Sequence, residues 1–261
     1  GKGKNNERGI IMKIIISPAK KMNIDDDIFE CRSEPVFLNK AEELMNYLKG
    51  LSYEECKTMW KCSDKLAQLN YDRVLDMDLN YRLTPAIFSY EGIQYQYMGP
   101  SVLSQDAIEY LQSNLRILSG FYGILKPLDG IVPYRLEMQA KLINHKNKDL
   151  YEFWSDNIAN NLFEEDDVII NLASKEYSKC VSKYIKNQPN IKFITCVFGE
   201  LKGEKIIEKG TLAKMARGEM VRYLAENNIS TLDGLKSFNK LGYKYSEEES
   251  NNDTYIFIKS V

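Results

Sequence analysis

Histidine is nearly absent from this chain of 261 residues, which contains only His145, within the polar segment NHKNK. Zinc and non-haem iron sites built on imidazole need several histidines, and a ferritin-like di-iron site needs two Glu-x-x-His pairs. A Ser-His-Asp triad would have to use His145, and no G-x-S-x-G turn is present to carry the serine. The sequence therefore excludes most imidazole chemistry and favours a surface position for His145.

Other common signatures are missing as well. The chain has no Walker loop and no G-x-G-x-x-G after a strand, which removes the usual nucleotide-binding fingerprints. Its five cysteines form no C-x-x-C pair, which argues against a disulfide framework. No apolar run approaches the length of a membrane span. We therefore expect a cytoplasmic protein with reduced thiols, no membrane association, no metal site and no cofactor.

Positive and negative charges nearly cancel over the whole chain. The sequence has 35 basic and 37 acidic residues, with a formal net charge of −2. Affinity for an anionic partner must therefore come from local clusters of cations. Three acidic runs, 25–27, 164–167 and 247–249, are interpreted as solvated loops.

Strand-like and helix-like patterns are interspersed along the chain without an internal repeat or a Pro/Ser-rich linker. This order predicts an α+β fold, a single mixed domain over residues 12–261, with residues 1–11 as an expression remnant or an extended start. Ser52 and Glu55 have the spacing of a capping box. The predicted strands are 12–17, 86–99, 167–174, 191–200, 205–210 and 254–260. The predicted helices are 38–50, 52–62, 63–75, 105–115, 149–163, 175–185, 212–228 and 232–238.

Basic residues follow two of the predicted strands. SPAKK places Lys20 and Lys21 just past the first strand, at the edge where open α/β sheets bind ligands. An exposed pair of loop lysines is the alternative. Ser174 is expected to cap the helix after a later strand, and the free N–H groups beside Lys175 and Lys179 would suit an anion. An ordinary junction between a strand and a helix is the alternative there.

The helix predicted over 212–228 has one basic face. At about 100° per residue, this face collects Lys214, Arg217, Gly218 and Arg222. The missing side chain of Gly218 would allow a backbone, a phosphate or another helix to come close. Anion binding by the arginines competes with internal pairing to carboxylates such as Glu137 or Asp129.

The most unusual stretch is LRILSGFYGILKPLDGIVPYRLEM, residues 115–138, where three glycines and two prolines interrupt an apolar run. Each proline forces the preceding residue out of a helix, so we expect an ordered loop. LSGFYG resembles the hairpin of helix-hairpin-helix DNA-binding motifs, in which glycine amides contact a phosphate. Gly120 and Gly123 would supply those amides, although their spacing is one residue longer than usual.

The same stretch also carries side chains that could bind a ligand or take part in a reaction. Lys126 and Arg135 offer cations to a phosphate. Tyr122 and Tyr134 offer flat faces on which a base could stack. Two carboxylates accompany them, and these either hold the cations in place or act as acid or base. The carboxylates are Asp129 and Glu137, and Glu137 lies on the same face as Arg135 if the segment is extended.

Taken together, these motifs resemble the YaaA peroxide-stress response protein family. The matching segments are ISPAK at 16–20, SDKLA at 63–67, Tyr97 with Gly99, LSGFYGILKPLDGIVPYRLEM at 118–138, DLYEFW at 149–154, INLASKEY at 170–177 and KMARGEMVRY at 214–223. The family more often shows SPAKT and KKARG where this chain has Lys21 and Met215. The resemblance implies a family-specific fold around a mixed sheet, a basic cleft and a helix-hairpin-helix-like element. It also implies binding of duplex or irregular DNA and a role in limiting iron-dependent oxidative damage.

Two functions are consistent with these residues. The favoured one is a DNA-binding protein, without enzymatic activity and favoured as a monomer, that contacts phosphates with little sequence specificity. The alternative is an enzyme acting on a nucleotide, nucleobase or DNA glycosidic bond, with Asp129 or Glu137 as acid or base. Direct iron binding is the weakest hypothesis, because it would rest on carboxylates and thiolates alone. The expected DNA- or anion-binding residues are Lys20, Gly120, Tyr122, Gly123, Lys126, Tyr134, Arg135, Ser174, Lys175, Lys179, Lys214, Arg217 and Arg222.

Overall fold

The computed structural model describes residues 12–25, 29–164 and 167–260. The prediction for residues 1–11 lies outside these ranges, as do the middle and end of the acidic run 25–27 and the centre of the run 164–167. The third acidic run, 247–249, forms an exposed turn, as predicted.

Helices and strands alternate throughout the described residues, which confirms the mixed α and β class. The strands are β1 Met12–Ile16, β2 Lys21–Met22, β3 Thr84–Pro85, β4 Tyr90–Glu91, β5 Leu115–Ser119, β6 Gly123–Leu125, β7 Gly130–Ile131, β8 Val168–Asn171, β9 Lys192–Lys202, β10 Lys205–Ile207, β11 Tyr243–Tyr245 and β12 Thr254–Lys259. The helices are α1 Leu38–Lys49, α2 Tyr53–Trp60, α3 Asp64–Leu75, α4 Ala86–Ser89, α5 Ile93–Met98, α6 Gln105–Asn114, α7 Leu150–Trp154, α8 Asn157–Phe163, α9 Lys175–Ser182, α10 Gly210–Glu226 and α11 Leu232–Lys236.

The main sheet has the strand order β11-β12-β9-β8-β1-β5-β6, and β10 extends β9 as a hairpin. Its five central strands, β12, β9, β8, β1 and β5, run parallel, whereas the edge strands β11 and β6 are antiparallel. Parallel strands are covered on both faces and so need continuous apolar runs. The buried runs Ile14–Ile16 and Val168–Ile170 meet that need. In the described part of the chain, no helix is both long and apolar enough to cross a membrane.

Local sequence signals set several helix ends. At the start of α2, Ser52 Oγ accepts a hydrogen bond from the backbone of Glu55, whose carboxylate accepts one from the backbone of Ser52, so the predicted capping box is confirmed. Ser104 caps α6 in the simpler way, by accepting from the backbone of Ala107. The helix predicted over 149–163 is broken into α7 and α8, because Ser155 has a positive φ of 48°.

The segment 86–99 was predicted as a strand, and this prediction is wrong. It forms α4, the two-residue strand β4 and α5. Its alternating aromatics imitated a strand, but α5 packs against α10 instead of joining the main sheet. Gly218 makes that approach possible, because a Cβ on it would lie 2.1 Å from the backbone oxygen of Gln94 in α5. The interior glycine of α10 therefore faces a neighbouring helix rather than a phosphate.

Residues 115–131, which we call the hairpin segment, form β5, a tight turn, β6 and β7. The helix-hairpin-helix expectation for LSGFYG is wrong, because β5 and β6 pair antiparallel around this turn. Both turn glycines are needed for packing: a Cβ on Gly120 would lie 2.4 Å from the backbone oxygen of Leu136, and Gly123 has a φ of +79° beneath the Trp154 ring. Trp154 Nε1 donates to the Gly120 carbonyl at 2.9 Å. The motif thus owes its glycines to close packing.

Candidate functional site

A cleft of about 550 Å³ opens at the carboxyl ends of β1 and β8. These two strands are neighbours in the sheet, yet the chain leaves them in opposite directions, from β1 towards β5 and from β8 towards β9. Open parallel sheets bind ligands at such a point, because the diverging connections leave a crevice between them. We call this crevice the main cleft.

Side-chain and backbone hydrogen bonds from three segments fix the floor of the main cleft. The Oγ of Ser17, directly after β1, accepts a hydrogen bond of 2.9 Å from the backbone N–H of Ser174. Its carbonyl accepts from Tyr95 Oη at 2.9 Å and from Gln94 Nε2 at 3.1 Å, both in α5. Ser174 is the N-cap residue of α9 but makes no side-chain cap, because its Oγ instead accepts from Ser17 Oγ at 3.2 Å. The loop after β1, α5 and the start of α9 are therefore held together.

The walls of the main cleft carry more cations than carboxylates. The cations are Lys20, Lys21, Arg135, Lys214 and Arg217, and the carboxylates are Glu91, Glu137 and Glu176.

Ion pairs neutralise three of these five cations. Lys20 Nζ lies 3.1 Å from Glu137, and Lys21 Nζ lies 3.2 Å from Glu91. Arg217 lies 3.0 Å from the carboxylate of Glu208, which does not line the main cleft.

Two cations of the main cleft keep their charge uncompensated. Within the described residues, Arg135 and Lys214 form no ion pair and no side-chain hydrogen bond, and the Nε atom of Arg135 is buried without a partner. A buried guanidinium nitrogen without an acceptor is unfavourable. The main cleft therefore offers cationic donors to a ligand that brings acceptors.

Two carboxylates meet in the main cleft beside Lys20. Glu176, in the first turn of α9, accepts from the backbone N–H of Gln139 at 3.4 Å. Burial, and after it the nearby charge of Glu137, raises the pKa of Glu176 above its ordinary range. A carboxyl group in a cleft whose pKa is raised by burial is a candidate proton donor. Glu176 is thus a functional candidate that the sequence did not reveal, since an acidic residue in the first turn of a helix is common for dipole reasons alone.

Comparison with known proteins identifies the family. A family model described as "Peroxide stress protein YaaA" matches residues 12–249. The chain belongs to this YaaA family. A UPF0246 protein of Lachnoclostridium phytofermentans is 56% identical over 248 residues, which is 95% of this chain and 96% of the relative. A UPF0246 protein of Desulfitobacterium hafniense is 52% identical over 250 residues, which is 96% of this chain and 99% of the relative.

Many of the site residues expected for this YaaA family member do meet in one place. The main cleft is lined by Lys20, Tyr134, Arg135, Glu137, Ser174, Lys214 and Arg217. Arg135 and Glu137 face it from alternate positions of an extended segment, as predicted, while Tyr134, Leu136 and Met138 are buried. Lys175 is exposed at the start of α9.

The aromatic groups of the motif do not offer the exposed faces that were expected. Tyr122 is completely buried, and its Oη accepts from the backbone of Val132 at 3.0 Å. Tyr134 reaches the floor of the main cleft but is 5% exposed, and its Oη lies 2.6 Å from both Ser119 Oγ and Tyr90 Oη. Stacking of a base on either ring would require the core to open. Gly120 and Gly123 are buried beside them, with no surface for a phosphate.

Asp129, the other candidate acid or base, does not line the main cleft. It is 1% exposed, and its Oδ2 accepts from the backbone N–H of Lys126 at 2.8 Å, which closes the turn after β6. Burial raises its pKa. Asp129 and the exposed Lys126 line a separate cavity of about 350 Å³ with Arg116. The local role of Asp129 is to hold a turn.

The remaining predicted cations are used elsewhere in this YaaA family member. Lys179 Nζ lies 4.3 Å from the centre of the Tyr151 ring, outside the main cleft. Arg222 pairs with Glu226 one turn further along α10, and Arg217 pairs with Glu208, so neither arginine uses Glu137 or Asp129. The basic arc of α10 is thus divided, and only its first part reaches the main cleft.

The single histidine is also remote from the main cleft. The His145 ring lies 4.9 Å from the Tyr47 ring and 5.9 Å from the Phe153 ring, centre to centre. Its Nδ1 accepts from the backbone N–H of Asn147 at 3.0 Å. His145 lies in a bend, is partly exposed and packs against aromatics, which agrees with the predicted surface position. Among the described residues, no group of three or more His, Cys, Asp or Glu side chains has the arrangement of a metal site.

Proposed function

We propose that this YaaA family member binds DNA through the main cleft and acts in this way during the peroxide response. The observation that carries the proposal is the presence of two cations without an ion pair, Arg135 and Lys214, in the lining of one cleft. Lys175 adds an exposed charge at the start of α9. These charges are local, since the formal net charge of the chain is −2. A polyanion is the ligand class that such a surface attracts.

The contacts available in the main cleft favour recognition of phosphates over recognition of bases. Guanidinium and ammonium groups contact phosphates without reading sequence. The buried positions of Tyr122 and Tyr134 remove stacking from the proposal. Binding should therefore depend on salt and vary little with DNA sequence.

Affinity for a fluorescent duplex and for a branched DNA, measured over a series of salt concentrations, tests this proposal. Arg135→Gln and Lys214→Ala should each weaken binding to all sequences alike and reduce the slope of log K against log salt by about 1. Lys126→Ala and Lys179→Ala are matched controls, because each removes one exposed positive charge outside the main cleft. Equal losses in all four variants, or a flat salt dependence in the unmodified protein, would refute binding in the cleft.

The role in oxidative damage follows as part of the same proposal. The family description names peroxide stress, and a protein that covers DNA phosphates would keep hydrated iron, which phosphates attract, away from the strand. Cells that depend on the double variant Arg135→Gln plus Lys214→Ala should lose peroxide survival, and an iron chelator should restore it. Survival equal to that of cells with the unmodified protein would contradict this role.

A second function is favoured by one specific observation. Glu137 and Glu176 share the main cleft with Arg135, and the pKa of Glu176 is raised by burial and by Glu137. Two carboxyl groups beside a cation, one of them with a raised pKa, are the groups used for acid–base chemistry on a nucleotide or a glycosidic bond. Incubation with nucleotides and with damaged oligonucleotides tests it, with Glu137→Gln and Glu176→Gln as inactive controls. Product formed equally by all three proteins would exclude this pair.

A further inference from the structure

A smaller cavity of about 290 Å³ opens beside the main cleft, and the two share Arg135 and Glu137. We call it the side cavity. The rest of its lining comes from the end of α2 and from the chain just after Glu137: Met59, Trp60, Lys61, Gln139, Ala140 and Lys141. The residues contributed by α2 belong to none of the motifs that pointed to the main cleft.

The indole of Trp60 has a donor without an acceptor. Trp60 is 4% exposed, and its Nε1 atom is buried with no hydrogen-bond partner. An indole N–H can only donate, and buried tryptophans ordinarily find an acceptor, because leaving one unpaired is unfavourable. The other tryptophan of the chain, Trp154, follows that rule by donating to Gly120. Because Trp60 lines the side cavity, an acceptor atom of a ligand bound there would satisfy this donor.

The charges around Trp60 specify what kind of acceptor fits. Lys61 and Lys141 are exposed at the rim, and neither forms an ion pair within the described residues. Arg135 adds a third cation whose Nε is unpaired. The single carboxylate, Glu137, is paired with Lys20. The carboxyl end of α2 adds only a partial negative charge, which is smaller than the positive charge of the three cations.

We propose that the side cavity is a phosphate-binding subsite. Trp60 Nε1 and Arg135 donate to phosphate oxygens, while Lys61 and Lys141 neutralise the charge. The inference rests on the proposed function for the identity of the ligand, a phosphate group of a nucleotide or nucleic acid strand that also occupies the main cleft. Arg135 belongs to both cavities, so a chain of phosphates passing it would meet the two cavities in succession.

The indole N–H signals test this subsite directly, since the sequence contains two tryptophans. In a ¹H–¹⁵N spectrum of the full-length labelled protein, Trp60→Phe assigns one signal by its loss, and Trp154 serves as an internal reference. Titration with inorganic phosphate should shift the Trp60 signal and leave the Trp154 signal in place. Potassium chloride at equal ionic strength should shift neither. Movement of the Trp60 signal to the same extent in chloride, or no movement in phosphate, would overturn the proposal.

Two further measurements distinguish the sources of phosphate and keep the proposal testable if Trp60→Phe does not fold. A short single strand with a 5′-phosphate is compared with the same strand lacking it. Preference for the former assigns a terminal phosphate or nucleotide, and equal shifts assign a diester.

Lys141→Ala and Lys61→Asn should each raise the apparent phosphate dissociation constant about tenfold, the loss expected for one charge-assisted contact. Asn suits position 61 because Lys61 has a positive φ of 51°. An unchanged constant in both variants would count against the subsite.

The subsite and the proposed function can fail separately. Lys214→Ala should weaken DNA binding but leave the phosphate shift of Trp60 intact, because Lys214 does not line the side cavity. DNA binding without a Trp60 shift would refute the subsite alone. A phosphate-dependent Trp60 shift in a protein that binds no DNA would refute DNA binding alone.

Discussion

The two parts of the motif 115–138 differ in what their unusual residues do. In the hairpin segment, 115–131, every residue except Arg116 and Lys126 is buried, and the glycines permit close backbone contacts. In the part that follows, successive side chains of an extended run alternate between the core and the main cleft. Arg135 and Glu137 are the ones that face the main cleft. The glycine-rich part thus serves packing, whereas the part PYRLEM supplies residues of the proposed binding site.

This difference shows how the fold supports the candidate site. Gly120 lies against the backbone of Leu136 and Glu137, so the turn of the hairpin sets the position of the segment that lines the main cleft. Substitutions in the hairpin segment should therefore change stability first, whereas substitutions at the main cleft should change binding first. The four predictions below test that separation, starting with the largest expected effect.

Gly120→Ala should be the most damaging substitution. The added Cβ would lie 2.4 Å from the Leu136 carbonyl oxygen and 3.1 Å from the Glu137 carbonyl carbon, both backbone atoms that cannot turn away. We expect a loss of about 3 kcal/mol or more in the free energy of unfolding, measured by urea denaturation. Gly210→Ala is the matched control, because nothing lies within 4 Å of its added Cβ. A loss of similar size in both variants would show that Gly120 is not tightly packed.

The sequence predicted the elements better than the roles of their residues. Apolar runs such as Ile14–Ile16 and caps such as Ser52 depend on neighbouring residues, so β1 and α2 were found correctly. The strand prediction for 86–99 was wrong because the helix α5 in this segment is stabilised by packing on Gly218 in α10. Gly218 lies more than a hundred residues further along the chain. Glycine in LSGFYG indicated a special backbone, but the sequence could not show that Trp154 and Leu136 were the reason.

The candidate site was predicted in part for the same physical reason. Residues after strands, such as Lys20 and Ser174, could be placed because the carboxyl ends of parallel strands lie on one edge. Asp129 and Glu137 were both named as candidates because they are close in sequence, yet they line different cavities. Trp60 and Glu176 gave no signal, since only the fold reveals an unpaired indole N–H or a crowded carboxyl.

Tyr134→Phe should show the cost of disturbing the floor of the main cleft. Removal of its hydroxyl leaves Tyr90 Oη buried without its partner at 2.6 Å. We expect a loss of about 1–3 kcal/mol in the free energy of unfolding. The double variant Tyr90→Phe plus Tyr134→Phe should lose less than the sum of the two single variants, because neither hydroxyl is then left alone. Strict additivity would contradict the hydrogen bond.

Asp129→Ala and Glu137→Ala should have opposite consequences, which sharpens the comparison between the two parts. Asp129→Ala removes the acceptor for the Lys126 backbone, so we expect a loss of about 1 kcal/mol in stability and unchanged DNA affinity. Glu137→Ala removes an ion pair whose lysine, Lys20, is exposed to solvent, so stability should change by at most about 0.5 kcal/mol. DNA affinity should rise, because Lys20 is released. Weaker DNA binding by Glu137→Ala would argue that Glu137 itself contacts the ligand.

Glu176→Gln should have the smallest effect, visible as a dependence on pH. Burial and the charge of Glu137 raise the pKa of Glu176 in the folded protein above its ordinary value of 4.5, so the folded state holds this proton more tightly than the unfolded chain does. That contribution to stability is complete below the unfolded pKa and is lost as pH rises through the folded pKa. Glutamine cannot ionise, so the variant should gain stability relative to the unmodified protein between about pH 4 and about pH 7. Urea denaturation at both pH values measures the gain, with the exposed Glu247→Gln controlling for the loss of one negative charge. A gain in Glu247→Gln as large as in Glu176→Gln would mean that the burial of Glu176 and the charge of Glu137 have no measurable consequence for folding. The acid–base function would then lack its physical basis.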